Sequence, residues 1–477
     1  MRKKFKLLAM LLTVVIATSM VLTGCGGSEK PAQQDSAAKT EEPAPNDMAK
    51  SDTTGESEAK KEPVKVMFYR EYDEATLKAR KEYDVVAEFE KQNPGIKVEM
   101  KSLVANTSSE EYKKKADLML ASGEQMDIIM FSNMHDIVPK VSAGLLEPLN
   151  SFADKEGIKL DEEYMGMIPM DGNFYTIPTQ YSMWIVFINK DMLDAAGLPL
   201  PPADWTWDDY REYAKKLTKG EGKEKVYGSY MHTWDEFYSV GLMNKIEKNL
   251  YYKEDGTSNF DHPVFRDFMK LRYEMESVEK TQIPFIDIKT QKMAYRSIFF
   301  SGKVAMMPQG TWMLSDIGLT EKYPHTFKTT FATWPRADKN SKTNFTMNSA
   351  AGIGFAINAG SKCKDETYKF LRFFTSKGFD MTKSMLSPWK KGDHLGILKG
   401  IMGQDESLYD LDPLTKIIND PNKKDNTEGI LPVYTAEVLA AWGEECEKYF
   451  IGDQDLDTTM NSTIKRANEI IEKNKQK

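Results

Sequence analysis

The sequence is poor in the residues that hold metals and disulfides. It has three cysteines and five histidines among 477 residues, and it contains no HxxxH or CxxC pattern. Three cysteines are too few for a disulfide framework, and the histidine spacing gives no support to a metal site. Cys363 and Cys446 either pair outside the cell or remain buried free thiols, and the sequence leaves both alternatives open.

Excess positive charge and catalytic motifs are also missing. The formal net charge is −8 without a basic stripe, which argues against nucleic acid as a partner. The chain has no GxSxG, P-loop or HExxH motif, and no motif singles out a pair of acids. The GxG at 352–354 lacks the third glycine of a dinucleotide-binding loop. We therefore expect neither catalysis nor a cofactor.

The longest apolar run lies at the N-terminus. Four basic residues among the first six precede an apolar stretch from Leu7 to Leu22, which is the layout of a secretion signal. The following Leu-Thr-Gly-Cys resembles a bacterial lipobox, which implies cleavage before Cys25 and a lipid on its thiol. We interpret residues 1–24 as a signal peptide and Cys25 as the lipidation site; a soluble secreted protein or an uncleaved anchor is the alternative.

Residues 26–63 have no apolar side chains other than alanine and Met48, so they cannot form a core. As a flexible coil this stretch would span about 35 Å, so it is predicted to be a tether. The rest of the chain exceeds the usual size of one domain, and two lobes are the default expectation.

The folded part opens with alternating strand and helix patterns. Residues 64–69, 96–100 and 127–131 are typical of strands, and helical periodicity separates them. Ser108 with Glu111 predicts a capping box for the second helix. The β-α-β-α-β order requires a parallel sheet with right-handed crossovers.

Ligands collect at the carboxyl ends of strands in open parallel sheets. The residues at those ends are therefore predicted to contact a ligand: Tyr69, Arg70, Ser132 and Asn133. Asp127 begins its strand at the opposite end and is interpreted as structural.

Residues 171–200 are expected to form a hinge and a ligand wall. The run 181–188 is too apolar for an exposed strand, and Asn189 or Asp191 can cap the short helix that follows. Farther along, Thr206 with Asp209 predicts another helix cap, and Pro263 suits the first turn of a third helix.

Several segments together resemble bacterial extracellular solute-binding proteins, the carbohydrate-binding family of ABC importers. The strongest are 171–218, which includes FINKD and AGL before PPADWTWDD, and SIFFSGKVAMMPQGTW at 297–312, which matches the pattern F-x-x-G-K-x-A-M … G-x-W. The segments NPGIKVE, LMLASGEQMDIIM and SAGLLEPLNSF also resemble the family's first lobe. The resemblance spans about 64–471. It implies an α/β, two-lobed periplasmic-binding-protein-like fold of type II, in which each lobe is a mostly parallel sheet flanked by helices and the ligand cleft lies between the lobes.

The resemblance also implies how the chain is divided and what it does. Residues 64–175 plus about 349–390 would form the N-terminal lobe, and 176–348 plus about 391–477 the C-terminal lobe. The lobes would close on a sugar or oligosaccharide and deliver it to the transmembrane subunits of an ABC permease. A lipid on Cys25 would hold the protein, expected to be a monomer, on the extracellular or periplasmic side of the cell membrane.

A sugar has an apolar C–H face and a rim of hydroxyls, so aromatic rings and planar polar groups suit it. The aromatic candidates are Tyr181, Trp184, Trp234, Trp312 and Trp389, and Asn348 near a chain crossover is an additional polar one. Trp184 and Trp312 could equally be core residues, and Trp389 a lone surface aromatic. Trp205, Trp207 and Trp442 are predicted to be structural.

Two other functions stay open on the sequence alone. A secreted glycoside hydrolase would need two positioned carboxylates, and a binding protein of the same shape could take a metal, a polyamine or a peptide. Adjacent tyrosines bind iron in some periplasmic proteins, but Tyr251 and Tyr252 precede an Asp-Gly turn, which favours a hairpin.

Overall fold

The computed structural model describes residues 62–475, apart from 242–244, 247–248, 343, 347–353, 402, 404 and 426–430. The described residues belong to one unit, Lys61–Lys477. The predicted signal peptide, Cys25, nearly all of the tether and Asn348 lie outside the described residues.

The described chain contains both strands and helices. The strands are β1 (Val64–Arg70), β2 (Ile96–Ser102), β3 (Ile128–Phe131), β4 (Ile177–Pro178), β5 (Trp184–Asn189), β6 (Tyr227–Ser229), β7 (Val304–Gly310), β8 (Thr329–Thr333), β9 (Asn344–Thr346), β10 (Gly354–Ile357) and β11 (Lys423–Asp425). The α-helices are α1 (Glu74–Ala79), α2 (Glu82–Gln92), α3 (Ser109–Ser122), α4 (Met134–Ser142), α5 (Asn150–Glu156), α6 (Leu160–Glu163), α7 (Lys190–Ala195), α8 (Trp207–Leu217), α9 (Pro263–Tyr273), α10 (Phe285–Thr290), α11 (Tyr295–Phe300), α12 (Leu314–Ile317), α13 (Lys364–Phe373), α14 (Phe379–Thr382), α15 (His394–Ile401), α16 (Leu411–Ile418), α17 (Thr435–Phe450) and α18 (Leu456–Lys475). Two π-helical segments, Glu274–Val278 and Phe374–Gly378, continue α9 and α13.

The first sheet has five strands in the order β2-β1-β3-β10-β4. β1 is parallel to β2 and β3, which confirms the predicted β-α-β-α-β unit. β10 is antiparallel to β3 and β4, so a late part of the chain completes this sheet. In its core, Phe68 on β1 meets Phe355 on β10 edge to face, with the ring centroids 5.0 Å apart.

The second sheet has four strands in the order β6-β7-β5-β8. β5 is antiparallel to both neighbours, and β6 is parallel to β7. Both sheets are therefore mixed, where the sequence predicted mostly parallel sheets. All residues of β5 are buried, as predicted. An unbroken apolar run indicates that a strand is buried on both faces, but it does not encode the direction of the strand relative to its neighbours.

The chain reaches the second sheet slightly later than predicted. β4 lies beyond residue 175, the predicted end of the first part of the N-terminal lobe, yet it pairs with β10 in the first sheet. The chain enters the second sheet only at Trp184. In a separate two-stranded sheet, β9 pairs in parallel with β11.

Local predictions of helix starts are confirmed. Asn189 caps α7 through a side-chain hydrogen bond. Ser108 caps α3 by accepting from the Glu111 amide, but its own amide donates to the Glu71 carbonyl, so the second bond of the predicted capping box is not formed there. Thr206 and Asp209 form both hydrogen bonds of a capping box at α8, and Pro263 occupies the first turn of α9.

The residues interpreted as structural are buried. The Asp127 carboxylate accepts hydrogen bonds from the Met67 amide at 2.8 Å and the Ser361 hydroxyl at 2.7 Å. Trp205, Trp207 and Trp442 are also buried. Cys363 and Cys446 are buried free thiols in different hydrophobic cores, which decides against their pairing.

Within the described residues, every helix is too short or too polar to cross a membrane.

Candidate ligand-binding site

One edge of the second sheet gathers several aromatic residues. Trp184, the first residue of β5, is paired with Gly310, the last residue of β7. β6 runs parallel to β7, and β8 runs antiparallel to β5, so the segments that follow β6, β7 and β8 all leave the sheet at this edge. Carboxyl-terminal edges of this kind are where α/β proteins place ligands.

Trp184 is the centre of an aromatic cluster at this edge. Its ring lies edge to face with Trp312 at 5.1 Å and with Trp234 at 6.2 Å between ring centroids. Trp184 is only 3% exposed, whereas Trp234 and Trp312 are half-buried. The buried indole thus supports two others that retain exposed surface.

Gly310 determines where the Trp312 ring can lie. A Cβ atom added to Gly310 would fall 2.0 Å from the indole, a distance that no side chain tolerates. The ring therefore packs directly on the backbone of β7, and its Nε1 donates a hydrogen bond to the Tyr295 hydroxyl at 3.2 Å. This contact gives a physical reason for the G-x-W spacing.

Tyr295 also packs against a part-buried ion pair. The Arg296 guanidinium lies 4.6 Å from the centroid of the Tyr295 ring, and its Nε donates to the Asp316 carboxylate at 2.6 Å. Burial raises the pKa of Tyr295 to about 12. The phenol consequently stays protonated at neutral pH and keeps a proton to donate.

His232 adds a neutral polar group to the cluster. Its Nδ1 lies 2.7 Å from the Tyr230 hydroxyl, and its ring centroid lies 4.7 Å from that of Trp234. Burial, reinforced by the positive charge of Arg272, lowers the pKa of His232 to about 3. The imidazole is therefore uncharged across the physiological range.

Tyr295, His232 and Tyr230 were not predicted from the sequence. A signal existed for two of them, because Tyr230, His232 and Trp234 alternate along the chain and an extended segment places alternate side chains on one face. Tyr295 carries no comparable signal, since its place in the cluster depends on how α11 packs against the end of β7.

Arg70 lies apart from this cluster, in the first core. Arg70 is 1% exposed, and its guanidinium donates to both carboxylate oxygens of Glu82, at 2.8 and 3.1 Å. It also donates to the sulfur of Met130 at 3.3 Å. A ligand that used Arg70 would have to compete with this ion pair.

The other candidates on the first sheet flank the ends of β1 and β3. Tyr69 is half-buried against the first core. Asn133 caps α4, because its side-chain oxygen accepts from the Asp136 amide at 3.0 Å. Ser132 and Asn133 also line a cavity of about 30 Å³, large enough for one water molecule.

Tyr181 and Trp389 contact other parts of the protein. Tyr181 is buried, and its amide donates to the carbonyl of Leu386 at 2.8 Å. The Trp389 indole donates to Glu163 at 3.1 Å and packs at the edge of the first core. The structure thus brings together only Trp184, Trp234 and Trp312 from the predicted aromatic set.

The cluster combines aromatic faces with neutral hydrogen-bonding groups. Such a surface can stack against an apolar ring face while the hydroxyl of Tyr295 and the imidazole of His232 bond to polar substituents. Within the described part of the chain, no group of three or more His, Cys, Asp or Glu side chains is arranged to hold a metal ion.

Comparisons with known proteins identify the family of this chain. The family model for bacterial extracellular solute-binding proteins matches residues 75–380. A binding protein of Brucella abortus (strain 2308) is 26% identical over 308 residues, which cover 62% of this chain and 68% of that protein. The sn-glycerol-3-phosphate-binding periplasmic protein of the same strain is 22% identical over 356 residues, covering 70% of this chain and 77% of that protein.

A solved structure shows the same fold. The ABC substrate-binding protein Lmo0181 from Listeria monocytogenes, in complex with cycloalternan, superimposes with a TM-score of 0.69 at 20% identity, covering 86% of this chain and 99% of that one. This similarity confirms the two-lobed, type II periplasmic-binding-protein-like fold. Since the family model spans more than half of the sequence, the chain belongs to the bacterial extracellular solute-binding proteins.

Proposed function

We propose that this solute-binding protein captures a sugar or oligosaccharide between its lobes and delivers it to the transmembrane subunits of an ABC permease. The observation that carries the proposal is the pair of half-buried indoles, Trp234 and Trp312, supported by the buried Trp184. An indole with one free face suits the C–H face of a pyranose or furanose ring.

The polar groups beside the indoles favour an uncharged ligand. The Tyr295 phenol and the His232 imidazole are both neutral at physiological pH, and each can form hydrogen bonds with sugar hydroxyls. The guanidinium that packs on Tyr295 belongs to Arg296, whose charge is already paired with Asp316. A phosphate group would need a cation that is not committed in this way.

The relatives provide ligands to compare. The Listeria structure holds cycloalternan, and the Brucella relative is named for sn-glycerol-3-phosphate. The neutral aromatic cluster favours the first kind of ligand for this chain.

The remaining parts of the proposal concern the lobes and the anchor. Because β4 pairs in the first sheet, residues 64–178 with about 349–390 form the N-terminal lobe. The chain from β5 to about 348, with about 391–477, forms the C-terminal lobe. Lobe closure on the ligand gives the form that the permease recognises. The protein acts as a monomer, held on the outer face of the cell membrane by a lipid on Cys25. Five other candidates stay predictions as ligand contacts: Tyr69, Ser132, Asn133, Tyr181 and Asn348. Arg70 and Trp389, which bond to Glu82 and Glu163, are proposed to lie outside the ligand site.

The lipid anchor has a direct test. Cells that express the wild-type chain should incorporate labelled palmitate into it and retain it in the membrane fraction. Cys25→Ser should remove the label and release the protein. Equal labelling of both chains would contradict the assignment of Cys25.

The ligand site is tested by binding measurements on the purified chain with maltotriose, cycloalternan, arabinotriose and sn-glycerol-3-phosphate. A ligand at 100 times its dissociation constant should stabilise the protein by about 2.7 kcal/mol. Trp312→Ala should weaken binding of the best saccharide about tenfold or more, because it removes a stacking face. Gly310→Ala should act similarly, since its methyl group displaces the same indole.

Trp389→Ala is the matched control, because Trp389 is also half-buried but bonds to Glu163 instead of joining the cluster. It should leave the dissociation constant unchanged. If Trp312→Ala and Trp234→Ala both bind the saccharide as tightly as the wild type, the proposed site is wrong. If only sn-glycerol-3-phosphate binds, the sugar assignment fails while the family assignment stands.

A further inference from the structure

Arg272 lies behind the aromatic cluster, at the end of α9, and is completely buried. Its Nη1 donates to the backbone carbonyls of His232 and Phe237, both at 2.9 Å, and its Nη2 donates to the carbonyl of Met231 at 3.2 Å. One planar group therefore binds both ends of the segment 231–237. That segment carries His232 and Trp234 into the cluster.

The guanidinium is itself fixed by its surroundings. Its Nε donates to Glu276 at 2.7 Å, and it lies 4.9 Å from the centroid of the Phe450 ring and 5.3 Å from that of Phe285. The second oxygen of Glu276 accepts from the Phe285 amide at 2.9 Å, which ties the carboxylate to the start of α10. Arginine is suited to this role because its donors form a rigid fork.

The π-helical turn after α9 helps to place the carboxylate. Glu276 lies within Glu274–Val278, where the backbone hydrogen bonds span five residues instead of four. Arg272, four residues earlier in the chain, is still within hydrogen-bond distance of its carboxylate. The π-helical turn thus carries the group that anchors the guanidinium.

We propose that Arg272 is a positioning residue that sets the place of Trp234 in the ligand site without touching the ligand. This role belongs to the proposed ligand site. The expected effect on saccharide affinity rests on the proposed function, whereas the effect on the position of Trp234 does not. A lysine at this position has only three N–H donors on one nitrogen, too few for the four hydrogen bonds that the guanidinium donates to Glu276 and the three carbonyls. Losing the fork frees Trp234 from the position in which it lies beside Trp184.

The test uses the full chain labelled with 5-fluorotryptophan, whose fluorine resonances report the surroundings of each indole. Trp234→Phe and Trp442→Phe assign two of the signals. Arg272→Lys should shift or broaden the Trp234 signal and leave that of Trp442, a buried residue of α17, nearly unchanged. It should also weaken saccharide binding about tenfold, as the loss of one well-placed stacking contact would.

Arg211→Lys is the matched control. Arg211 pairs with Glu274 and Glu279 around the same π-helical turn, at 2.8 and 2.7 Å, but makes no bond to the segment 231–237. It should change neither the Trp234 signal nor the affinity. A Trp234 signal in Arg272→Lys that matches the wild type would overturn the proposal.

A second variant covers the case in which Arg272→Lys does not fold. In the double variant Arg272→Met with Glu276→Leu, both buried charges are replaced by apolar side chains, a change that folded proteins often accept. It should show the same change at Trp234, and an unchanged signal would again overturn the proposal. The fluorine measurement needs no ligand. If no saccharide binds the wild type, the proposed function fails, whereas the role of Arg272 is still decided by the Trp234 signal.

Discussion

Removal of the Arg70 guanidinium should destabilise the first lobe and leave the ligand site intact. Arg70 and Glu82 have side chains that are 2% and 3% exposed, and they are joined by two hydrogen bonds. Arg70→Met would leave the Glu82 carboxylate buried without its cation. Breaking a buried pair from one side in this way costs about 3–5 kcal/mol.

Two further variants test whether this loss of stability comes from the unpaired buried charge. Arg70→Met combined with Glu82→Leu removes both charges and should recover most of the loss, because no charge stays buried alone. Glu99→Gln breaks a surface pair with Lys65, whose side chains are 32% and 52% exposed. It should change the urea midpoint little, because solvent already screens that pair.

The assay follows urea unfolding by circular dichroism and, for each variant, the dissociation constant of the best saccharide. Arg70→Met should unfold at clearly lower urea concentration, with an unchanged dissociation constant in the native range. The opposite pattern, normal stability with lost saccharide binding, would refute the reasoning. It would show that Arg70 contacts the ligand, as the strand-end pattern in the sequence predicts.

Two other predictions concern pH and packing. The pKa of His232 is lowered from 6.5 to about 3 in the folded chain, so the unfolded chain binds the extra proton between these values. The protonation of His232 therefore leaves the free energy of unfolding unaffected above pH 6.5 and lowers it as the pH decreases, by up to about 1.4 kcal/mol per pH unit. His232→Asn should flatten the pH 5–6.5 part of the urea-midpoint profile. An unchanged slope would contradict this. Gly228→Ala should destabilise the second lobe by about 1–3 kcal/mol or more, because its Cβ would lie 1.9 Å from the carbonyl oxygen of Ala214. Gly95→Ala, with open space around its Cβ, should change the melting temperature little, and equal effects of the two substitutions would contradict the packing argument.

Elements that depend on local chemistry could be predicted from the sequence. The caps at Ser108, Asn189 and Thr206 need only a side-chain oxygen and a nearby amide. The burial of β5 follows from its unbroken apolar run. The parallel arrangement of β1, β2 and β3 follows from the alternation of strands and helices, because short crossovers allow few other topologies.

Strand direction in the second sheet could not be predicted in the same way. Pairing of β5 with β7 and β8 joins parts of the chain that are more than a hundred residues apart. The same pairing places Trp184 beside Gly310 and so creates the aromatic cluster. The sequence did not decide whether Trp184 and Trp312 are core residues or ligand contacts. The position of each indole depends on the register of these strands, which no local pattern encodes.

Arg70 shows most clearly why strand ends are an incomplete guide to a ligand site. The rule about carboxyl ends concerns the backbone, and Arg70 does end β1. Its side chain, however, shares a face of the strand with Phe68, whose ring packs against α13 in the core. A cation on that face is stable only with a buried partner, and α2 supplies Glu82. The alternation that predicts Phe68 as core therefore also assigns Arg70 to the core face, and Tyr69 to the opposite one. Applied together, the strand-end rule and the alternation of side chains separate Arg70 from the other candidates by sequence position alone.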